Sequence, residues 1–160
     1  TVDQGFADPT ANPDKVAYIV QDVIRLYAAR GLSIAIPDPF DIDFNIATRA
    51  TQAAIAAGHG LAFIREASML RWGEGQNLTA PDVLAEAATR AGWDADAARA
   101  ALDESFETEI AADKTQCTDH KVFGVPFFIV ENEGDDEASS ESFWGQDRWD
   151  MVLARLKQVR

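Results

Sequence analysis

The sequence contains few of the residues that build disulfides, redox pairs or zinc centres. Among 160 residues there is one cysteine, Cys117, and there are two histidines, His59 and His120. A single cysteine excludes an internal disulfide and a Cys-x-x-Cys redox pair within this sequence. A structural zinc site needs four Cys or His ligands held close together, so none is expected here. Because Cys117 falls in a predicted helix near a hairpin, we expect it to be a small buried side chain.

Positive charge and long apolar runs are also scarce. Fourteen Lys and Arg residues stand against 27 Asp and Glu residues, which gives a formal net charge of −13. A nucleic acid, itself a polyanion, is therefore not an expected partner. No apolar run has the length of a transmembrane helix, and residues 1–10 lack the pattern of a signal peptide. We expect a soluble, cytoplasmic protein without a membrane partner, in which the acidic segment 131–141 is a solvated hairpin loop.

The apolar and helical patterns that are present predict one domain with a substantial core. Asn12 can cap a helix that begins at Pro13 and ends at Gly31. A short apolar run at 32–36, closed by prolines, predicts a strand. The later pattern predicts helices at 47–57, 61–72, from 81, from 95 to 102 and at 104–119, strands after 126 and at 142–144, and a last helix at 146–159.

The order of these elements is typical of a thioredoxin-like α/β domain with an inserted all-helical subdomain. Residues 1–40 and 120–160 would form the thioredoxin-like domain, and residues 41–119 would form the insertion. The segment KVFGVPFFIV (121–130) places Pro126 directly before an apolar strand. Proline cannot donate to a sheet ladder, which confines it to an edge, a bulge or a first strand position. From these residues alone, a cis bond, which would turn the backbone of Val125 outward, and an ordinary trans bond are equally acceptable.

Three stretches resemble the glutathione-dependent 2-hydroxychromene-2-carboxylate isomerases. These enzymes group with the kappa-class glutathione transferases in the DsbA-like thioredoxin superfamily. The stretches are residues 12–50, FGVPFFIV (123–130) and FWGQDRWDMVLARL (143–156). The most specific parts are Gly124-Val125-Pro126 and residues 143–148, with Phe40, Asn45 and Arg49 in support. The resemblance implies a cytoplasmic, homodimeric enzyme of aromatic degradation.

The resemblance also implies a glutathione site made of Lys15, Val125, Pro126, Gln146 and Asp147. The backbone of Val125 would pair with the cysteinyl residue of glutathione as an added strand. The helix start at Gln146 offers free N–H groups for the γ-glutamyl carboxylate, and Asp147 would pair with the ammonium. Without the resemblance, the residues favour a plain helix cap for Asp147 and a solvated first-turn lysine for Lys15.

Two further residues are candidates for the cleft that receives an aromatic substrate, namely Asn45 and Trp72. Residues alone favour a core position for Trp72 and a loop-holding role for Asn45. Arg148 is expected to brace the start of the last helix or to pair with an acidic neighbour.

One part of the family pattern is not matched. The resemblance implies a catalytic serine at the start of a helix that follows a first strand, where it stabilises the thiolate of glutathione. Residues 1–12 contain no such unit, so the catalytic residue is unassigned. A thioredoxin-like sheet needs that central strand for its backbone hydrogen bonds. We therefore expect the natural protein to have an N-terminal strand and helix that this sequence does not include, or to receive a strand from another chain.

Four functions stay open at this point. The resemblance favours a glutathione-dependent isomerase that acts on an aromatic hydroxy acid, and Gln146 favours it over a kappa-type glutathione transferase. A dithiol oxidoreductase would need a Cys-x-x-Cys that this sequence does not contain. A non-catalytic thioredoxin-like module that binds peptides is the fourth.

Overall fold

The computed structural model of the chain describes residues 12–102, 106–131 and 140–159. The chain divides into two compact units, Thr1–Phe106 and Glu107–Arg160, which we call the N-terminal unit and the C-terminal unit. The division of the chain at residues 40 and 120 that the sequence suggests stays a prediction. Within the described ranges, no helix is both long and apolar enough to cross a membrane.

The N-terminal unit is helical throughout its described elements. Its elements are α1 (Pro13–Ala29), α2 (Asn45–Ala56), α3 (Gly60–Ser68), a π-helical turn (Met69–Gly73), α4 (Pro81–Arg90) and α5 (Ala95–Ala101). Helices α2 to α5 and the π-helical turn enclose one apolar core. Small side chains let these helices approach closely, and Phe63 fills the centre with no exposed surface. The buried members of this core are Ala50, Ala54, Phe63, Ala67, Leu70, Leu78, Leu84, Ala87, Ala88, Ala98 and Leu102.

Two helix starts of this unit, one of them predicted at Asn12, have a side-chain cap, and the start of α4 has none. The side chain of Asn12 accepts from the N–H groups of Asp14 and Lys15, and Asp94 accepts from Ala97. Helix α4 has Ala80 at its N-cap and no side-chain cap, although Pro81 does occupy its first turn. The polar side chain before α4, Asn77, instead accepts two hydrogen bonds from Thr79 and closes the preceding turn.

The predicted strand at residues 32–36 is wrong. This segment has no strand assignment, and the sheet of the described residues has only two strands, both in the C-terminal unit. Two of its N–H groups donate to backbone carbonyls outside the segment, Leu32 to Tyr27 at 3.0 Å and Ala35 to Trp72 at 2.8 Å. The segment contacts the π-helical turn, and a β-ladder needs a neighbouring strand that the described residues do not supply.

Helix α1 has the expected apolar stripe but does not bury it. No residue of α1 is buried, and Tyr18, Ile19, Val20 and Ile24 are each more than 40% exposed. The stripe follows helical spacing, which is the reason the sequence predicts a helix here. The stripe is partly covered, since Val16, Val23 and Tyr27 are half-buried, so the cap and helix propensity of α1 supply a larger share of its stability.

The C-terminal unit is built around an antiparallel hairpin. It contains α6 (Glu107–Asp119), β1 (Phe127–Val130), β2 (Glu141–Trp144), a 3₁₀ turn (Gln146–Arg148) and α7 (Trp149–Leu156). Phe127 pairs with Trp144 and Val130 with Glu141. The predicted hairpin is therefore confirmed, while most of the acidic loop between its strands lies outside the described residues. Alternation along the strands turns Val130 and Phe143 toward Val152 of α7, and these three form the unit's buried cluster.

Cys117 is not a buried filler, because the structure places it on the surface of α6. The predicted helix 104–119 begins at Glu107, and residues 103–105 lie outside the described residues. No residue of α6 is buried. The helix lacks a strong apolar stripe, so no face of it requires a neighbour, and Cys117 stays accessible for this reason.

Candidate functional site

The peptide bond between Val125 and Pro126 is cis, which confirms one of the two interpretations of this proline. Val125 is 86% exposed although it is a large apolar residue next to a strand. Among the described residues, no hydrogen bond involves its N–H or its carbonyl. Val125 therefore presents free backbone donor and acceptor groups at the start of β1.

A backbone hydrogen bond joins this corner to the end of β2. The N–H of Gly145 donates to the carbonyl of Pro126 at 3.0 Å. The pairing of Phe127 with Trp144 requires the residues before β1 and after β2 to lie at the same end of the hairpin. Four of the predicted glutathione-site residues, Val125, Pro126, Gln146 and Asp147, thus lie together at this end.

Gly145 and Asp147 fit each other closely. Gly145 has φ 110° and ψ 147°, a backbone region that is open essentially to glycine alone. A Cβ on Gly145 would lie 2.6 Å from Oδ1 of Asp147, so any other residue here would push this carboxylate out of its present position. Asp147 is exposed in the 3₁₀ turn, and neither that turn nor α7 has a side-chain cap. Interpretation of Asp147 as a helix cap is therefore wrong, because within the described residues its carboxylate accepts from Arg148 and from no backbone N–H.

Arg148 pairs with its acidic neighbour, as one of its two predicted roles requires. Its Nη1 lies 2.7 Å from Oδ2 of Asp147. Both side chains are about half exposed or more, so water screens this pair and its contribution to stability is small. The carboxylate is held in place by the pair and still open to solvent.

Strand β1 has one described neighbour. Within the described residues the sheet consists of β1 and β2 alone, so the far edge of β1 faces no other strand. An unpaired edge presents N–H and C=O groups that can accept an added strand. This edge is continuous with the free backbone groups of Val125.

An aromatic cluster that is not among the predicted site residues supports the same corner. The ring centroid of Phe123 lies 5.5 Å from that of Phe127 and 5.0 Å from that of Trp144, both in edge-on geometry. A Cβ on Gly124 would lie 2.8 Å from Nε1 of Trp144, so the indole leaves room only for glycine there. The spacing Phe-Gly-Val-Pro-Phe, with Trp144 opposite Phe127, is the signal that could have revealed it.

The other predicted site residues belong to the N-terminal unit. Lys15 is an exposed first-turn residue of α1. Asn45 is the first residue of α2, also exposed, and its N–H donates to Oδ1 of Asp43 at 3.0 Å. Trp72 lies in the π-helical turn and is partly buried. Among the described contacts, no hydrogen bond, ion pair or ring contact joins these three residues to one another.

Trp72 has two partners that sequence reasoning missed or ranked low. Its ring centroid lies 6.0 Å from that of Phe40 at an interplanar angle of 69°, and the guanidinium carbon of Arg71 lies 5.5 Å from the Trp72 centroid. Trp72 is therefore neither a fully buried core residue nor a free surface residue. Arg71 has no exposed surface, and a lone arginine in a helical pattern gives no sequence signal for such burial.

Surface ion pairs of the N-terminal unit change the pKa of the groups that form them. A hydrogen bond from Arg90 lowers the pKa of Glu74, and hydrogen bonds to Glu74 and Glu86 raise the pKa of Arg90. A hydrogen bond to Asp82 raises the pKa of Arg99. No group of three or more His, Cys, Asp or Glu side chains with the geometry to hold a metal ion occurs in the described ranges.

Comparison with known proteins places the chain in a family. The model of the DSBA-like thioredoxin domain matches residues 3–157. A solved structure of selenomethionine-labelled 2-hydroxychromene-2-carboxylate isomerase is similar, with a TM-score of 0.68 and 22% sequence identity. The match covers 96% of this chain and 71% of that one. No curated protein matches the sequence.

At 22% identity the similarity to the isomerase establishes the fold and not the reaction. The match of the family model over nearly the whole chain establishes the family. The structure agrees with it, since a hairpin follows a cis proline and leads into a closing helix. The chain belongs to the DSBA-like thioredoxin domain family and has its mixed α/β fold.

Proposed function

We propose that this protein is a glutathione-dependent isomerase of the 2-hydroxychromene-2-carboxylate type. The observation on which the proposal depends is the hairpin end, where the free backbone of Val125 and the exposed carboxylate of Asp147 lie on segments joined by one hydrogen bond. Glutathione needs both kinds of group, an extended backbone partner for its cysteinyl residue and an acid for its ammonium.

The residues at the hairpin end fit glutathione at several positions. The N–H and carbonyl of Val125 would pair with the cysteinyl backbone in the manner of an added strand. The first N–H groups of the 3₁₀ turn, at Gln146 and Asp147, have no acceptor within the turn and suit the γ-glutamyl carboxylate. The Asp147 carboxylate would receive the ammonium, since its exposed pair with Arg148 is weak enough to share it.

Lys15 is the proposed partner of the glycyl carboxylate. Lys15 is exposed in the first turn of α1. The net charge of the chain is −13, so cations that can bind an anionic ligand are scarce. We propose Asn45 and Trp72 as residues of the substrate cleft, where Trp72 supplies an aromatic face.

When bound, glutathione supplies a thiolate that adds reversibly to the aromatic substrate and leaves unchanged. The chain's own contribution is to bind and orient the tripeptide and the ring, which lowers the entropic cost of their encounter. No residue of the chain matches the serine of the isomerases, so we assign no residue to thiolate stabilisation.

Calorimetry tests the glutathione site directly. The protein is titrated with reduced glutathione and, in a matched experiment, with the tripeptide Ala-Cys-Gly, which lacks the γ-glutamyl end. We expect saturable heat at millimolar glutathione and at least tenfold weaker binding of Ala-Cys-Gly. The absence of heat with glutathione would exclude the isomerase and also a kappa-type transferase.

An absorbance assay then tests the reaction class. Equilibration of 2-hydroxychromene-2-carboxylate with its ring-opened pyruvate is followed with and without glutathione, beside conjugation of a chlorodinitrobenzene. We expect glutathione-dependent equilibration that consumes no glutathione. Net loss of thiol with the chlorodinitrobenzene, and no equilibration, would identify a transferase instead.

A further inference from the structure

Arg71 is a buried charge with no opposite charge beside it in the part of the chain that the structure describes. Its side chain has no exposed surface, and among the described residues no carboxylate lies within ion-pair distance of it. Its Nε has no hydrogen-bond partner there either. Burying an unpaired charge is unfavourable, and an apolar side chain of similar volume would fill the same space more stably. The presence of arginine at this position therefore needs a reason other than packing.

The hydrogen bonds of Arg71 show what the guanidinium does. Its Nη2 donates at 2.7 Å to the carbonyl of Pro39 and at 2.7 Å to the carbonyl of Phe40. Its Nη1 donates to the carbonyl of Gln76 at 3.2 Å. A planar guanidinium with several fixed donors can hold two successive carbonyls, whereas a lysine ammonium is a point charge on a flexible stem. Arg71 thus fixes the backbone of the loop at residues 39–40.

The loop that Arg71 fixes positions the ring of Phe40, which burial alone would not hold in place. Phe40 is 65% exposed, so little of its position comes from packing. Its ring meets Trp72 edge-on, and the Trp72 carbonyl accepts from the N–H of Ala35, in the segment that leads to Phe40. Phe40 and Trp72 form an open aromatic corner, and the Arg71 guanidinium lies 5.5 Å from the Trp72 ring centre.

The π-helical turn is an independent sign of function at this place. Residues Met69–Gly73 form a π-helix at the end of α3, and the N–H of Glu74 donates to the carbonyl of Met69, five residues before it. Such turns are rare and are frequent at functional sites. Here the turn contains both Arg71 and Trp72.

We propose that Arg71 is a positioning residue that holds the Phe40–Trp72 corner as the receiving surface for the ring of an anionic aromatic ligand. The corner provides ring contacts, and the uncompensated charge behind it favours a ligand with a carboxylate. The identification of this ligand as the substrate rests on the proposed function. The binding of an anionic aromatic ligand at the corner does not.

Fluorescence titration of the full chain with 2-naphthoate and with neutral 2-naphthamide tests the corner. We expect 2-naphthoate to quench tryptophan emission, and Trp72→Phe to remove that quenching. Phe40→Ala should raise the Kd of both probes about three- to tenfold, in line with the loss of one aromatic contact. The matched control Phe44→Ala changes an exposed aromatic residue directly before α2. Its Kd values for both probes should stay within about twofold of the parent.

Selectivity for the carboxylate separates the role of Arg71 from a purely structural one. The parent should bind 2-naphthoate more tightly than 2-naphthamide by about fivefold or more, as expected for a nearby uncompensated charge. Arg71→Met should abolish this ratio, whereas Arg71→Lys should keep it and raise both Kd values. The control Arg90→Met, which removes a surface ion pair, should leave the ratio unchanged.

Each alternative result has a defined meaning. If circular dichroism shows that Arg71→Met does not fold, the test of the proposal passes to Phe40→Ala and Arg71→Lys. The first changes only an exposed ring, and the second keeps the charge. Parent protein that does not bind 2-naphthoate, Phe40→Ala that binds as the parent does, or a parent that does not distinguish the two probes would each overturn the proposal. Naphthoate binding without any binding of glutathione would refute the proposed function and leave the aromatic corner standing.

Discussion

Pro126 and Gly145 are joined by a single backbone hydrogen bond of 3.0 Å, from the N–H of Gly145 to the carbonyl of Pro126. This bond closes the open end of the hairpin just beyond its last paired residues, Phe127 and Trp144. It sets the distance between the free backbone of Val125 and the 3₁₀ turn. Two segments separated by about twenty residues of sequence thereby become parts of one candidate site.

Asp147→Ala should weaken glutathione binding by about 10- to 100-fold, because the ammonium would lose a charge-assisted hydrogen bond. The free energy of unfolding should change by less than about 0.5 kcal/mol, since the side chain is exposed and caps no helix. Calorimetry and urea denaturation measure the two quantities.

The control for this substitution is Asp150→Ala, which removes an exposed acid of the first turn of α7. It should bind glutathione within about twofold of the parent. Equal losses in both variants would mean that overall charge, and not the Asp147 carboxylate, governs the binding.

Gly145→Ala should destabilise the protein by about 2–3 kcal/mol. The substitution forces a Cβ into a backbone region open essentially to glycine and to within 2.6 Å of the Asp147 carboxylate. Gly92→Ala is the matched control, since Gly92 also has positive φ, at 76°, but no atom lies within 4 Å of its Cβ position. That control should cost about 1 kcal/mol. Equal unfolding free energies for the two variants would argue against the close fit of Gly145 and Asp147.

Glu74→Gln should reduce the loss of stability in acid. The pKa of Glu74 is lowered in the folded state by its hydrogen bond with Arg90, from an ordinary value of 4.5. A carboxyl with a depressed folded pKa stabilises the fold above its unfolded pKa, and that contribution disappears as the pH falls through the folded pKa. The affected window therefore lies below about pH 4.5.

Urea midpoints of the parent and of Glu74→Gln at pH 7 and at pH 3 measure this effect. The difference between the two pH values should be smaller in the variant than in the parent. Glu107→Gln, at an exposed position in the first turn of α6, provides the comparison, and it should behave as the parent does. A variant of Glu74 with an unchanged pH dependence would contradict the assignment.

Cys117 should react with an aromatic disulfide reagent in the native protein without denaturant. The thiol is exposed on α6, so native and urea-unfolded protein should each release one equivalent of chromophore, and the rates should differ by less than about tenfold. Cys117→Ser should release none. A thiol that reacts only after unfolding would show that it is protected in the native state.

Much of the fold could be predicted because local chemistry determines it. Asn12 and Asp94 cap the helices that follow them, and these bonds need only neighbouring residues. The apolar run after Pro126 forms β1 because residues 141–144 return along it as the second strand of a hairpin. The strand at 32–36 could not be predicted correctly, because an apolar run becomes a strand only when a partner strand is present.

The candidate site was predictable where it follows sequence motifs and hidden where it depends on distant contacts. Val125 and Asp147 come from recognisable motifs, and the hairpin register brings them together. Arg71 reaches carbonyls 31 and 32 residues away in sequence, which no local pattern signals. Cys117 was placed wrongly because burial of a small residue depends on whether its helix has a neighbour.

The π-helical turn requires a fixed number of residues between the start of α3 and Trp72. One residue added to or removed from this turn, Met69–Gly73, ahead of Arg71 would rotate Arg71 and Trp72 by about 100° around the helix axis. Such a change would move the Arg71 guanidinium off the loop at 39–40 and the Trp72 carbonyl away from Ala35. Insertions and deletions should therefore be excluded from these five positions in any functional variant, even where single substitutions are tolerated.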